Sequence, residues 1–365
     1  MNIKILLYII IIFLGIVLGN GNDSNGKKRR WYVIIIISLL VLESSLRSVV
    51  VGPDTIHYYT KFMSIPNQSW ENIWGSFRIA YFEGEGKDPG FTVLMKFIQF
   101  FTLDFNMFLF FCALLFFIPM GLVLYRCSTS VLQLMFAFTL YVALFNIVAL
   151  SGIRQQIATG FCFMAFLQLD KNNNWRALLL LLLGTTFHIS ALIFTVIPLL
   201  RFFSPRFIKS LHLVSFATIP FVIMFAGPIM YVLASFLAND YYSTYAESEI
   251  NGGSFKYIIL MELLSLFCYV AIKRNSLAGN QRAILLYSML PMLTVTAPLI
   301  SLNGTMIRVG QYFTLYMMLL VPRAIDLISK GNIRQMFYFG MIAVLIFMSL
   351  NSRDFEYYFF WQNVL

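Results

Sequence analysis

Arg47, Asp54, Arg154, His188 and Arg308 stand at or near the ends of long apolar runs. An ionised group close to hydrocarbon is costly, so each is expected to have a partner or a function. Guanidiniums, a carboxylate and an imidazole facing one compartment make a site for a lipid-linked anion. Guanidinium grips phosphate oxygens as a bidentate fork. Arg154 and Gln155 open a helix after Ser151-Gly152, where free N–H groups and partial positive charge already attract anions. The alternative for Arg154 is to snorkel to lipid phosphate at the same depth. His188 interrupts an uncharged stretch that begins with Leu178 to Leu183. With an unperturbed pKa of ~6.5, imidazole can accept a proton from a hydroxyl. Arg308, Gln311 and Tyr312 fall at i, i+3 and i+4, on one helix face. Arg47 closes a helix that Gly52-Pro53 terminates. Arg47 and Asp54 are therefore expected to meet, either as a structural ion pair or as an anion-binding arginine oriented by a carboxylate.

The elements that position these groups are membrane helices. Of the 365 residues, 59% are hydrophobic and 12% charged, about half the charge of a soluble domain. Apolar runs cover 5–18, 31–51, 105–125, 131–150, 152–169, 177–200, 207–237, 257–272, 283–302, 306–328 and 336–350. A bilayer core of ~30 Å needs about 20 apolar residues per helix. The sequence thus predicts an all-α, polytopic integral membrane protein with about 10–12 transmembrane helices, forming one domain over 1–365. The first run reads as a retained helix, because no small-x-small cleavage site follows it. The run at 91–103 is short and carries Lys96 and Gln99, which fits a re-entrant or interfacial segment.

Net charge is +10, and its distribution is the useful signal. One set of connections holds Lys27 to Arg30, Arg126, Lys171, Arg176, Arg201, Arg206, Lys209, Lys273, Arg274, Arg282, Arg323, Lys330 and Arg334. The opposite set holds most of the acids, including Asp54, Glu71, Glu83, Glu85, Asp88, Asp104, Asp240, Glu247 and Glu249. The positive-inside rule assigns the basic set to the cytoplasm. The main extracytoplasmic loop is then 52–90 and the second 238–256. This parity requires a double pass, as a bent or broken hairpin, between Arg176 and Arg201. Tyr58, Tyr59, Trp70, Trp74, Tyr81 and Phe82 suit either the membrane-interface belt or stacking on sugar rings.

Several chemistries are excluded. No GxxxxGK[ST] loop and no GxGxxG turn is present, so neither nucleotide hydrolysis nor nicotinamide binding is expected. The four cysteines form no CxxC pair and the three histidines no HxxxH pair, so no metal site and no cofactor is expected. Beyond Lys27 to Arg30 no basic run suggests nucleic acid.

In order along the chain, short elements resemble one family. Arg47 with Gly52-Pro53-Asp54-Thr55-Ile56-His57-Tyr58 and Phe62 resembles the R…G-x-D-T-x-x-Y-x-x-x-F signature of the EpsG-like, Wzy-type polysaccharide polymerases. Pro53 departs from the small or hydroxyl residue common there. Asp88-Pro89-Gly90-Phe91 is similar to that family's acidic-Pro-Gly-aromatic step, and Arg154-Gln155-Gln156-Ile157-Ala158 to its RQ-x-x-A helix start. Phe187-His188-Ile189-Ser190-Ala191-Leu192 resembles its F-H-x-S-A-L element, and Arg308 to Phe313 its R-x-x-x-Y-F element.

The resemblance implies a multi-pass enzyme of the bacterial inner membrane with its site on the extracytoplasmic side. It would join oligosaccharide repeat units of O-antigen, capsule or exopolysaccharide carried on undecaprenyl pyrophosphate. Its partners would be the lipid-linked donor and acceptor, the bilayer, a flippase and a chain-length regulator. In that chemistry His188 is the first candidate for the base and Asp54 the second. Arg47, Arg154, Gln155, Arg308, Gln311, Tyr58 and Tyr312 are expected to bind substrate. Rival readings are a flippase of the same glycan and an O-antigen ligase-like enzyme. A third is a glycosyltransferase using a monosaccharide polyprenyl phosphate, for which Glu83 and Glu85 would be the acidic pair.

Overall fold

The computed structural model describes residues 3–19, 23, 25–83, 86–225, 228–229, 232, 255–301, 304–352 and 356–362. Apolar side chains at helical spacing, with serine, asparagine and aspartate caps between them, make most of these residues helical. The first helices are α1 (Ile3–Gly19), α2 (Lys27–Ser45), α3 (Thr55–Ser64), α4 (Trp70–Arg78), α5 (Pro89–Ile98) and α6 (Phe105–Cys127). Next come α7 (Val131–Leu144), α8 (Asn146–Ser151), α9 (Ile153–Asp170), α10 (Asn174–Phe187), α11 (Val196–Leu200) and α12 (Pro205–Met224). The last are α13 (Phe255–Ala271), α14 (Gln281–Tyr287), α15 (Met289–Thr296), α16 (Ile307–Thr314), α17 (Met317–Ile328) and α18 (Gly331–Leu350).

Caps account for several starts. Asp104 accepts a bond from the Met107 amide at 2.9 Å, and Ser130, Ser204 and Asn280 do the same for α7, α12 and α14. Pro205 fills the first turn of α12, where no amide partner is needed. Pro220 lies inside that helix, which continues past it to Met224.

The chain is an all-α polytopic membrane protein. The segments Phe105–Cys127, Pro205–Met224, Gln281–Ser301 and Gly331–Leu350 are each long and apolar enough to cross a bilayer. Shorter apolar helices accompany them. α7 is buried on every face from Gln133 to Val142, as expected of a helix that is apolar all round and enclosed by others. α1, α2, α17 and α18 pack around it.

The segment from Arg176 to Arg201 is a hairpin. α10 climbs to Phe187, His188 is extended (φ −159°, ψ 115°), and a 3₁₀ turn Ile189–Thr195 leads into α11. Arg201 then bonds Asn172 at 2.5 Å and also Asn174, which returns the chain to the foot of α10. The 14 residues of α10 rise only ~21 Å, less than the ~30 Å of a hydrocarbon core. The hairpin therefore turns back at His188 before a full crossing. α5, with 10 residues, is also too short to cross. Lys96 fastens it by donating to the carbonyls of Ile65, Pro66 and Gln68 at 3.0–3.3 Å.

The connection 52–90 carries helices α3 and α4 rather than irregular loop. Trp70, Trp74 and Phe77 stack along α4 at 5.6–6.3 Å between ring centroids, and Tyr81, just past its end, tilts against Phe77 at 6.2 Å. Residues 238–254 of the second connection lie outside the described residues.

Ion pairs sort by end. Asp170 accepts from Arg282 at 2.8 and 2.9 Å and stands 3.8 Å from Arg126. Arg334 pairs with Asp326 and Arg29 with Asp23. All of these residues belong to the basic set of connections. Asp54, Asp88, Arg154 and Arg308 pair among themselves at the other end. None of these pairs joins the two sets.

Close approach of α5 to α10 depends on Gly90. A Cβ there would overlap the Thr186 side chain and lie 3.0 Å from its carbonyl oxygen. Gly90→Ala should lower stability by about 1–3 kcal/mol through overpacking. Gly75→Ala on α4, where a Cβ meets nothing within 4 Å, should leave stability unchanged or raise it by about 0.5–1 kcal/mol. Thermal unfolding of the purified protein in detergent checks both, and equal effects would refute the tight α5–α10 contact.

Candidate active site

The site is assembled from the starts of α3, α5 and α9, the break after α10, and the first turn of α16. Asp88 precedes Pro89 in the left-handed region (φ 53°), a conformation costing of order 1 kcal/mol for a residue with a side chain. It makes no capping bond to α5. Its carboxylate turns instead to Arg154, whose Nη1 lies 2.7 Å from Oδ2, and to His188, whose Nδ1 lies 3.6 Å from Oδ1. The Asp88 side chain is 1% exposed, against 18% for Arg154 and 17% for His188. The carboxylate is thus the floor of the cluster, and the guanidinium and imidazole reach toward its opening.

A second pair stands beside the first. Arg308 donates from Nη2 to Asp54 Oδ2 at 2.6 Å. Gln155, next to Arg154, donates to the Arg308 carbonyl at 2.5 Å, so α9 and α16 are tied directly. Tyr58 lies between the pairs: its amide donates to the Asp54 carbonyl at 3.2 Å, and the Arg154 guanidinium sits 5.5 Å from its ring centroid. The Tyr312 and Ser190 hydroxyls are 3.1 Å apart, which joins α16 to the turn after His188. Gln311 is buried beside Tyr312. Gly52 (φ 87°) lets the Asp54 turn lie against the start of α9. A Cβ there would meet the Leu150 carbonyl at 3.1 Å.

Arg47 goes elsewhere. The sequence suggested a meeting of Arg47 with Asp54, but the carboxylate that Arg47 was expected to reach belongs to Arg308. Arg47 is 1% exposed and bonds the Ser44 carbonyl and, at 2.8 Å, the Ser44 hydroxyl. Its backbone bridges Phe359 in an antiparallel pair, and the Asn106 amide caps its carbonyl at 3.0 Å. The reason is topological: α2 ends against the C-terminal segment, while the Gly52 turn carries Asp54 away toward α16.

Asp88 was visible in the sequence as one of the extracytoplasmic acids and as part of a short Asp-Pro-Gly-aromatic step, and spacing did not tie it to residues 66 and 100 positions away. Lys61 was missed altogether. Burial and the neighbouring Arg154 push its ammonium pKa down, and Asp88 partly offsets them. His212 is enclosed and shared between the Tyr287 and Ser265 hydroxyls at 2.9 and 2.8 Å, a satisfied core histidine. Glu83 pairs with exposed Arg78 at 2.8 Å; Glu85, its expected companion, lies outside the described residues. Among the described residues no His, Cys, Asp and Glu side chains gather as a metal set.

Electrostatically the two pairs are neutral overall, yet neither guanidinium is exhausted by one carboxylate, because it has five N–H donors. An incoming phosphate can share them. Burial raises the Asp88 pKa, but the neighbouring His188, then Arg154 and Lys87, outweigh it and hold the carboxyl below its usual range. Its stabilisation is therefore complete above about pH 4 and lost as pH falls through the lower folded-state value. Asp88→Asn should cost about 3 kcal/mol at neutral pH by leaving Arg154 unanswered. The gap between the unfolding midpoints of wild type and variant should stay constant down to about pH 5 and close only in stronger acid. A gap that closes near neutral pH would refute an ionised Asp88.

Residues 30–362 match the profile of the EpsG family. No curated protein and no solved structure matches this chain. The match spans nearly the whole chain, from the start of α2 to the C-terminal segment, and includes every residue of the Asp88 and Asp54 pairs. This chain belongs to the EpsG family, a Wzy-like group of polysaccharide polymerases.

Proposed function

We propose that this protein polymerises glycan repeat units carried on undecaprenyl pyrophosphate, at the extracytoplasmic face of the bacterial inner membrane. The observation that carries this reading is the Asp88 cluster at the turn of the α10 hairpin. A cationic and imidazole site recessed below a full membrane crossing suits a substrate that arrives on a lipid. A soluble nucleotide sugar would need no such depth. The concentration of Arg126, Lys171, Arg176, Arg201 and Arg282 at the other end supports a cytoplasmic location for that end.

The reaction forms one bond and breaks one. The hydroxyl oxygen of the acceptor unit attacks the anomeric carbon of the donor glycan. The bond from that carbon to the pyrophosphate oxygen breaks, and its electron pair leaves with the pyrophosphate. Arg154 and Arg308 face the developing negative charge, where fixed donors act most strongly. His188 takes the acceptor proton on Nε2, because Nδ1 faces Asp88. The 3.6 Å Nδ1–Oδ1 separation exceeds a formed hydrogen bond, and such contacts commonly tighten when substrate binds. Asp88 would then select the tautomer and stabilise the imidazolium. Asp54 orients Arg308, Tyr58 supports Arg154, and Gln155, Gln311 and Tyr312 hold α9, α16 and the His188 turn in register. Arg47 acts through the end of α2 as a positioning residue.

Arg154→Ala should reduce polymer formation by about 10²-fold or more, and His188→Ala by about 10²–10⁴-fold, with protein levels unchanged. Glycan length resolved on gels from cells carrying each variant is the readout, and a normal ladder removes that residue from its role. Deleting the gene should leave single repeat units on the final carrier. Loss of all surface glycan would favour a flippase instead. In intact cells a membrane-impermeant maleimide should label Asn67→Cys and spare Lys171→Cys; the reverse pattern would invert the orientation.

A further inference from the structure

The connection that carries Asp88 also presents an exposed apolar surface that the candidate site does not use. On α4 the apolar residues Trp70, Ile73, Trp74 and Phe77 occupy an arc of about 100°, with Glu71, Asn72 and Arg78 outside it. Ile73, at one edge of the arc, is buried in one cluster with Phe91 and Met95 of α5. Trp74, at the other edge, is 57% exposed. Phe97, Phe100, Phe101 and Leu103, at the end of α5 and just beyond it, are 54–73% exposed. Trp70 stacks on Phe100 at 5.8 Å between ring centroids, so the two groups form one surface. An exposed apolar patch of this kind marks an interaction face.

What covers this surface follows from its place in the chain. α6 starts at Phe105 behind its exposed cap Asp104, and its 23 residues rise ~34 Å, enough for a full crossing. Its lipid face is the exposed stripe Met107, Phe111, Ile118 and Leu122. Phe101 and Leu103 stand six and four residues before Met107, so the apolar surface adjoins that stripe at its end. Asp104 therefore marks the boundary between hydrocarbon and water, the depth at which tryptophan and tyrosine collect. α4 is fastened at this level. Lys96 donates to the carbonyls of Ile65, Pro66 and Gln68 in the turn before it, and Gln99 donates to the Phe62 carbonyl at 2.6 Å. With nine residues, α4 is far too short to cross and lies in the plane of the interface.

Aromatic side chains also stack on sugar rings, but a sugar needs a free ring face. Here the faces are committed to one another. Trp70 stacks on both Trp74 and Phe100, and Trp74 on both Trp70 and Phe77, with interplanar angles of 18–30°. Charge is sparse as well, since Arg78 pairs with Glu83. The rings rather than ionic attraction make the contact.

We infer that α4 and residues 97–103 form a ledge seated in the interface of the bilayer leaflet that α6 enters at Asp104. Its partner is the lipid surface. The ten residues of α5 join this ledge to Asp88, so the ledge fixes the height of the Asp88 cluster within the leaflet, where a lipid-borne pyrophosphate is met. That height-setting role rests on the polymerase reading; the ledge itself does not.

The test uses the full-length protein in lipid nanodiscs, with Trp31→Phe, Trp175→Phe and Trp361→Phe leaving Trp70 and Trp74 as emitters. Phosphatidylcholine brominated near the glycerol end of its acyl chains should cut their emission about twofold, and bromine near the chain ends should cut it less, because an in-plane helix lies ~5–10 Å below the headgroup boundary. Iodide in the water should quench less than either lipid. Strong iodide quenching with none from lipid overturns the ledge. So does a loss of lipid quenching on adding the free oligosaccharide repeat unit, which would make the face a glycan platform. In the same background Phe101→Glu, an exposed change, should weaken the lipid quenching and raise the apparent KM for extension of lipid-linked units about tenfold, at an unchanged unfolding midpoint. Leu103→Glu takes its place if that variant does not fold, and Glu71→Gln, outside the arc, should alter neither readout. An unchanged KM in the folded variant overturns the height-setting role. Lipid quenching as expected, with no extension of lipid-linked units by wild type, keeps the ledge and overturns the polymerase reading.

Discussion

A carboxylate buried as deeply as Asp88 must be answered by positive charge within contact distance, and here the answer comes from two distant parts of the chain. Arg154 supplies it at 2.7 Å and His188 stands opposite at 3.6 Å. Meeting that requirement joins α5, α9 and the α10 hairpin. The left-handed backbone at Asp88 and the absent Cβ at Gly90 are the local conditions for the contact. Removing the carboxylate would leave a guanidinium with little water and no counter-charge, which is worse than never having had the pair.

The opposite end of the bundle makes that geometry reproducible. Asp170 binds Arg282 with both oxygens, and Arg201 returns to Asn172 and Asn174. These contacts set where α9 ends and where both arms of the hairpin begin. With its foot pinned, the length of α10 sets the depth of His188. A residue added to or removed from α10 would rotate the imidazole by about 100° and shift it ~1.5 Å, away from Asp88 in either case. The ion pairs at the two ends are therefore one device, joined by helices of defined rise.

The second pair, Asp54 with Arg308, is more open, with side chains 30% and 25% exposed, and its net contribution to stability is correspondingly small. Its value lies in orientation. Gln155 ties it to the Arg154 turn, and Tyr58 meets both pairs, through its amide to the Asp54 carbonyl and its ring beside the Arg154 guanidinium.

Composition and apolar run length were enough to read the helical, membrane-spanning class, because the bilayer imposes a length and a polarity on every span regardless of its neighbours. The sorting of charges into two sets was equally legible, and the ion pairs keep to it. The short motifs, met in order, pointed to the family. Local sequence also called for a bent or broken hairpin between Arg176 and Arg201 and for a partner or function at His188, but did not place the break at that residue. Partner choice was not legible. Arg47 and Asp54 are seven residues apart and yet bond to different parts of the chain, while Asp54 finds Arg308 across 254 positions. Ion pairing depends on distance in space, and helix packing alone decides which ends adjoin. The burial of Asp88 and the turning of Arg47 toward Ser44 follow from that packing, for which no spacing in the chain is a substitute.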